Sequence, residues 1–400
     1  MNKPDIRFNG FNGEWEEKKI NEISEINPHS ELPVQFEYVD LESVTGTEMV
    51  SHRTERLESA PSRAQRLAQK GDIFYQTVRP YQKNNYYFNL DEKDYVFSTG
   101  YAQLRSKLDG NFFLSVLQSD KFVADVLENC TGTSYPAINP TTLGNLKVAF
   151  PDNAEQKKLG ALFSQIDSLI ASTQKELDKL VSLKKCMLQK MFPKKGCLVP
   201  EIRFKGFSGN WEEKKISDLA TIFIGLVTTM TKYYSNQGTL LIRNSDIKDN
   251  YFSFSDNPIY LNQEFADQNS SRKHKIGDVI TVHTGDVGTS AVITEKEEGT
   301  IGFATIVTRP KTNLLDSMFL SIFLNSDAHK IWAVSVSTGD GRTNYNLGDY
   351  TQLLLKIPSL PEQQKIGSYF QNLDNLISKQ SAELEKLKNV KKTLLSKMFV

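Results

Sequence analysis

The sequence predicts an α+β protein written twice: two mixed α+β modules separated by two long helices that pair as an antiparallel coiled coil, with an internal pseudo-twofold repeat. Three observations carry this reading. PDIRFNGFNGEWEEKKI at 4–20 returns as PEIRFKGFSGNWEEKKI at 200–216, identical at 13 of 17 positions. EQKKLGALFSQIDSLI…LQKMF at 155–192 returns without a gap as EQQKIGSYFQNLDNLI…LSKMF at 362–399, identical at 18 of 38 positions. The stretches between these repeats, 21–150 and 217–357, barely match. A repeat this long is no solenoid; it implies the covalent version of a twofold dimer.

In chain order, residues 1–150 form a lead-in and a first module, and 151–196 a first long helix. Residues 197–357 form the second lead-in and module, and 358–400 the second helix. Inside the modules, 73–75, 279–282 and 304–307 read as strands, and 112–127 and 315–332 as helices. Sparse echoes pair Gly71-Asp72-Ile73 with Gly277-Asp278-Val279, and Thr131-Gly132 and Asn139 with Thr338-Gly339 and Asn346. Each module ends at a proline, Pro151 or Pro358, and each helix opens on a capping box, Asp152-x-x-Glu155 or Ser359-x-x-Glu362.

Heptads follow the caps. The pairing seam is Leu159, Phe163, Ile166, Ile170, Leu177 and Leu180 in the first helix, and Ile366, Phe370, Leu373, Ile377, Leu384 and Leu387 in the second. Even the polar breaks coincide, Thr173 with Gln380 and Lys184 with Lys391. A seven-residue period held this long favours a left-handed coiled coil. Thirty-eight helical residues span about 57 Å, and the obvious partner for so long a narrow stripe is the other copy. Antiparallel pairing about a pseudo-twofold axis would set the modules at opposite ends, as in a caliper.

Charge excludes some classes. The 48 Lys+Arg balance 48 Asp+Glu, so a histone-like polycation is ruled out, though a local basic face is not. The zero is a sum: each helical repeat carries seven basic and four acidic residues, +6 for the two, leaving −6 elsewhere. At 39% hydrophobic residues the chain belongs with folded proteins. No apolar run is long enough to span a bilayer, and Cys130, Cys186 and Cys197 have no Cys-x-x-Cys spacing, so a cytoplasmic protein with reduced thiols and no membrane is expected.

No catalytic motif stands out: no phosphate loop, no His-Glu-x-x-His, no Gly-x-Gly-x-x-Gly after a strand. Pro151-Asp152…Glu155-Gln156-Lys157 is similar to a nuclease set, but the second copy loses both Asp and Lys, and helix capping explains it better. His29, His52, His274, His283 and His329 form no ligand spacing, so neither metal nor cofactor is expected. Nucleic-acid signals are local. A basic stretch between Arg53 and Lys83, Arg63 within it, leads into TVRPYQKNNYY, where Arg79, Tyr81, Lys83, Asn84 and Asn85 interleave, and the loop at 131–138 adds Ser134 and Tyr135. The second module offers Lys232, Tyr233, Arg243, Asn244 and Lys273, and a loop with Arg342, Asn344 and Tyr345. Arg and Asn suit guanine and adenine edges, while Lys and Tyr hold phosphates.

Together the two lead-ins, IRFNGFNGEWEEKKI and IRFKGFSGNWEEKKI, and the closing EQKKLG…KMF and EQQKIG…KMF resemble the specificity (S) subunit of Type I restriction–modification systems, over essentially the whole chain. The resemblance implies two target-recognition domains, each reading half of a bipartite site in double-stranded DNA, and helices that set the spacer. It implies no catalysis by this chain. Two modification (methyltransferase) subunits would dock on the helices, and restriction subunits would bring ATP-dependent translocation and cleavage, so S-adenosylmethionine and ATP would belong to the partners. Half-sites one duplex turn apart are ~34–36 Å apart, within the reach of a ~57 Å rod. A scaffold whose modules bind proteins is the competing class.

Overall fold

The computed structural model describes residues 3–132, 134–338 and 343–400. The chain divides into two units, Met1–Leu177 with Gln380–Val400, and Asp178–Lys379. Each long helix therefore contributes to both.

The principal elements of the first module are β1 (Glu16–Lys19), β2 (Ser24–Ile26), β3 (Gln35–Val39), β4 (Arg53–Arg56), β5 (Ala64–Leu67), β6 (Asp72–Gln76), β7 (Tyr86–Tyr87), β8 (Tyr95–Ser98), β9 (Tyr101–Ser106), α1 (Gly110–Gln118), α2 (Asp120–Glu128) and β10 (Lys147–Phe150), followed by the long helix α3 (Asn153–Lys190). One four-stranded sheet runs β4-β3-β8-β5, the other β2-β9-β6-β7, and β1 pairs antiparallel with β10. Every residue of β6 is buried, and its alternation feeds two cores. Ile73 and Tyr75 join Phe112 and Phe113 of α1, while Phe74 stacks on Phe97 at 3.6 Å.

The second module repeats the plan with β11 (Glu212–Lys215), β12 (Ala220–Ile224), β13 (Tyr234–Ser235), β14 (Thr239–Ile242), β15 (Tyr260–Leu261), β16 (Val279–Thr281), β17 (Ser290–Val292), β18 (Ile301–Gly302), β19 (Ile306–Pro310), α4 (Ser317–Leu324), α5 (Asp327–Val336), β20 (Leu354–Ile357) and the long helix α6 (Leu360–Met398). Its sheet β12-β19-β16-β17 matches β2-β9-β6-β7 strand for strand, and β11 pairs with β20 as β1 does with β10. The single helices expected at 112–127 and 315–332 are each two. Ser119 and Ser326 break them, their hydroxyls accepting from the amides of Phe122 and His329 and so starting a new helix.

The repeated motifs now have physical reasons. Glu155 and Glu362, at most 1% exposed in the side chain, each take a two-pronged ion pair from Arg7 or Arg203 of the lead-in, with N–O distances of 2.6–2.7 Å. This corrects the capping-box expectation. Asp152 does cap the Glu155 amide at 2.9 Å, but the Glu155 carboxylate serves an arginine 148 residues away, and the Glu362 amide donates to the Ser359 carbonyl. The next residue, Gln156 or Gln363, accepts from the amide of Asp109 or Asp316 at 3.0 Å, the aspartates that cap α1 and α4. Gly160 and Gly367 then let those caps approach: a Cβ would lie 2.4 Å from Asp109 Oδ1 or 2.9 Å from Asp316 Oδ1. In Gly71-Asp72 and Gly277-Asp278, the glycines hold φ of +102° and +86°, open cheaply only to glycine, and the buried aspartates fork onto Arg105 and Arg309.

Within each unit the two long helices run antiparallel. In the first, Lys391 pairs with Asp167 and Gln380 reaches Glu176 at 3.0 Å; in the second, Lys184 pairs with Asp374. The lysines that break the heptad pattern are thus cross-helix ion pairs, repeated at equivalent positions. All twelve seam residues are buried or half-buried. The helix ends also complete the module cores. Phe399 packs edge-on against Trp15, 6.1 Å between centroids, and Phe192 against Trp211 at 6.0 Å. The Ile6 amide donates to the Lys397 carbonyl just as Ile202 does to Lys190. Among the described residues no helix is long and apolar enough to cross a membrane.

Candidate nucleic-acid interface

In both modules one edge is built from the chain leaving the central buried strand and a hairpin that bridges to it. After β6, Val78 bridges to Ala137, which also pairs with Thr131; after β16, Thr284 bridges to Asn344, which also pairs with Thr338. The Thr77 amide and hydroxyl both donate to Gly100, tying in the β8–β9 turn. The framework is shared and the residues on it differ.

In the first module this edge gathers most of the expected residues. Arg79 sits in the left-handed region at φ +54°, its amide on the Pro136 carbonyl and its guanidinium 4.5 Å from the Tyr135 ring centre. Tyr135 is 64% exposed and Tyr81 49%, and Ser134 is exposed. Asn84 uses Oδ1 to accept from the Gly46 amide. Arg63 is exposed and its carbonyl takes the Thr99 amide, beside the same turn. Others are spoken for. Lys83 is held by Asp120 and the Gln118 carbonyl. Arg53 lies on the edge strand β4, its proton held by Glu55 and Asp40, and does not join the cluster. Asn85 is a correction: it is 1% exposed, and its Oδ1 accepts from the Gln76 amide, so it holds the loop from inside. Arg66 on β5 is a further half-buried cation, its Nε without an acceptor among the described residues and its pKa lowered by burial.

In the second module Asn244 and Asn344 converge on His283. Asn244 Oδ1 accepts from the His283 amide at 2.8 Å, and its Nδ2 donates to the carbonyls of Phe303 and Ala304, so its amide is fully used in holding the turn. His283 Nδ1 lies 2.8 Å from Thr284 Oγ1, which donates to Asn344 Oδ1 at 2.8 Å. Burial lowers the His283 pKa. Arg243 is forked onto buried Asp246, which raises its pKa. Lys273 precedes β16, on the other side of that strand from His283, and pairs with Asp267. Lys232 is exposed, 4.8 Å from the Tyr233 ring, and Tyr233 stacks on Phe265 at 3.8 Å. Tyr345 is a second correction: fully buried, it packs edge-on against Tyr350 with its hydroxyl 3.2 Å from His329 Nε2, a core role. Arg342 lies outside the described residues. Sequence reasoning passed over His283 and Thr284. The aligned echoes already set Val78 against Thr284 and Ala137 against Asn344, and that contrast was the available signal.

Among the described residues no cluster of three or more His, Cys, Asp or Glu is placed to hold a metal. The geometry defines a class: a duplicated protein presenting two polar edges that differ in side chains on one common framework. Both copies match the family model of the Type I restriction modification DNA specificity domain, over residues 12–181 and 208–389, and the chain belongs to that family.

Among its relatives is the Type I restriction enzyme MjaVIII specificity subunit of Methanocaldococcus jannaschii, 22% identical over 274 residues, covering 66% of this chain and 64% of that protein. The Type I restriction enzyme EcoBI specificity subunit of Escherichia coli is 21% identical over 317 residues, covering 73% and 65%. The chain thus spans under two thirds of the length of both. In fold it is similar to the S subunit of a Type I restriction-modification system from M. genitalium, with a TM-score of 0.63 at 15% identity over 100% and 99% of the two chains. A chain from a structure describing complex assembly and conformational transition of the type I R-M system gives 0.51 at 21% identity over 96% and 97%.

Proposed function

We propose that this chain is the non-catalytic, sequence-reading subunit of a cytoplasmic Type I restriction–modification complex, binding double-stranded DNA with each module on one half of a bipartite site. The observation that carries this is the contrast between conserved framework and divergent edge. Both copies keep the Arg–Glu clamp, the Asp–Arg fork and the order of one four-stranded sheet, yet place Val78 and Ala137 where the other has Thr284 and Asn344. A duplicated reader of two different half-sites needs that division, because phosphate contacts position and base contacts specify.

Two modification subunits dock on the long helices in this reading, and restriction subunits join them. Support comes from apolar side chains left exposed at equivalent positions: Leu169 and Leu376 at 53% and 50%, Leu183 and Val390 at 38% and 42%. With net charge zero, the chain alone supplies little phosphate neutralisation, so tight binding needs the partners. The test is to exchange residues 21–150 for the corresponding segment of another family member, then map methylated adenines in a host carrying the modification subunits. A change confined to one half-site supports DNA reading. An unchanged methylation sequence with altered partner binding supports a protein scaffold instead. Inserting four residues at Lys175 tests the helices as spacer: the tolerated gap changes while both half-sites stay the same.

A further inference from the structure

The edge of the second module carries a fixed hydrogen-bond relay that has no counterpart among the described residues of the first module. A hydroxyl has one proton, and Thr284 gives it to Asn344 Oδ1. The 2.8 Å contact with His283 Nδ1 must then be a bond in which the imidazole donates. In the neutral ring this fixes the proton on Nδ1 and leaves Nε2 as a bare acceptor. At the far end, Asn344 has its oxygen occupied and its Nδ2 free to donate. Neither His283 Nε2 nor Asn344 Nδ2 has a partner among the described residues, and both side chains are only partly buried.

The residues behind them are anchored. The His283 amide is held by Asn244, the His283 carbonyl by the Tyr345 amide, and the Asn344 amide by the Thr338 carbonyl. The relay is therefore pre-oriented, presenting one acceptor and one donor in a set order. In the major groove adenine alone among the bases shows an amino donor, N6, together with a ring acceptor, N7. Guanine shows only acceptors, cytosine only a donor, and thymine an acceptor and a methyl group.

We propose that His283 and Asn344, coupled through Thr284, read an adenine in the half-site of the second module, His283 Nε2 accepting from N6–H and Asn344 Nδ2 donating to N7. At the equivalent place the first module has Thr77, Val78 and Ala137, whose bridge offers no such pair, so its reading falls to the Arg79–Tyr135 stack and its neighbours. The proposal rests on the DNA-reading function above.

The experiment uses the full chain purified with its modification subunits, selecting from a randomised double-stranded oligonucleotide pool, with thermal melts to confirm that each variant is folded. His283→Leu removes the acceptor, Asn344→Asp removes the donor, and His283→Gln restores an acceptor. The expected result is that the first two relax discrimination at one A·T position of one half-site about tenfold. His283→Gln should retain it. Unchanged discrimination at every position in both variants overturns the proposal, as does a uniform loss across the whole site in a folded variant. If the unmodified complex selects a sequence and the variants select it equally well, only this proposal fails. If the unmodified complex selects no sequence, the DNA-reading function fails with it.

Discussion

Replacing Arg7 by methionine would leave the Glu155 carboxyl group sealed from water without its counter-ion. Glu155 is fully buried, while Arg7 is 15% exposed in its side chain and donates to both carboxylate oxygens, at 2.7 and 2.6 Å. Removing one partner of such a pair strands the other, at a cost of about 3–5 kcal/mol. The sensible readout is the fluorescence of Trp15, which is 3% exposed in the core that this clamp closes. The chain has three tryptophans, so Trp211→Phe and Trp332→Phe leave Trp15 as the reporter. With a urea slope of roughly 2–3 kcal/mol per molar, the midpoint should fall by about 1–2 M. Adding Glu155→Leu to Arg7→Met should recover most of the loss, since a buried ion pair exchanged for apolar groups of similar volume is often close to neutral. A single variant within about 0.5 kcal/mol of the parent, where exposed substitutions usually fall, would refute the reasoning, as would a double variant as unstable as the sum of the two singles.

Gly160→Ala should cost about 1–3 kcal/mol, because its Cβ would meet Asp109 Oδ1 at 2.4 Å and the Phe112 amide nitrogen at 2.8 Å. Gly367→Ala, with its nearest contact at 2.9 Å, should cost less, and thermal melts giving the opposite order would count against the close-approach explanation. Phe399→Ala should destabilise the first unit by about 3 kcal/mol, read as a lower urea midpoint from Trp15; an unchanged midpoint would mean that the ring is not part of that core. Burial lowers the pKa of both His274 and His329 to about 4. The unfolded chain therefore takes up protons from about pH 6.5 downward and the folded chain only near 4, so stability of the second unit falls through that window, by about 3 kcal/mol per histidine. His329→Phe, matching Phe122 of the first module, should make urea midpoints at pH 7 and pH 5 differ less than in the parent; an equal difference would exclude His329 as a source.

What was legible in the sequence was whatever repeats or has a period. The duplicated lead-ins and helices exposed the twofold plan, and the seven-residue spacing picked out positions that are buried or half-buried, among them Leu159, Phe163, Ile366 and Phe370, which join the module cores. Partners distant in the chain were not legible. Lys184 and Lys391 read as flaws in the seam because Asp374 and Asp167 face them only once the helices lie antiparallel. Glu155 read as a cap because its local geometry allows one, whereas Arg7 reaches it through the fold. The interface suffered most. Counting basic residues registers charge and misses neutralisation, and Arg53, Lys83, Arg243 and Lys273 all have acidic partners. Asn85 and Tyr345 lie in polar stretches and are nonetheless buried. His283 shows the opposite error: an isolated histidine gains meaning only from Thr284 beside it and Asn344 across the bridge.

The seating of Phe399 against Trp15 has a consequence for synthesis. The first module emerges from the ribosome early, but the ring that covers Trp15, Phe112 and Phe163 arrives only with the end of the second helix. Until then that apolar seat stays open. Phe192, at the end of an equivalent Lys-Met-Phe, is made first, before Trp211 exists to receive it. Order of translation thus leaves the Trp15 seat uncovered until the second helix has been made in full, whereas Trp211 is made after the phenylalanine that covers it.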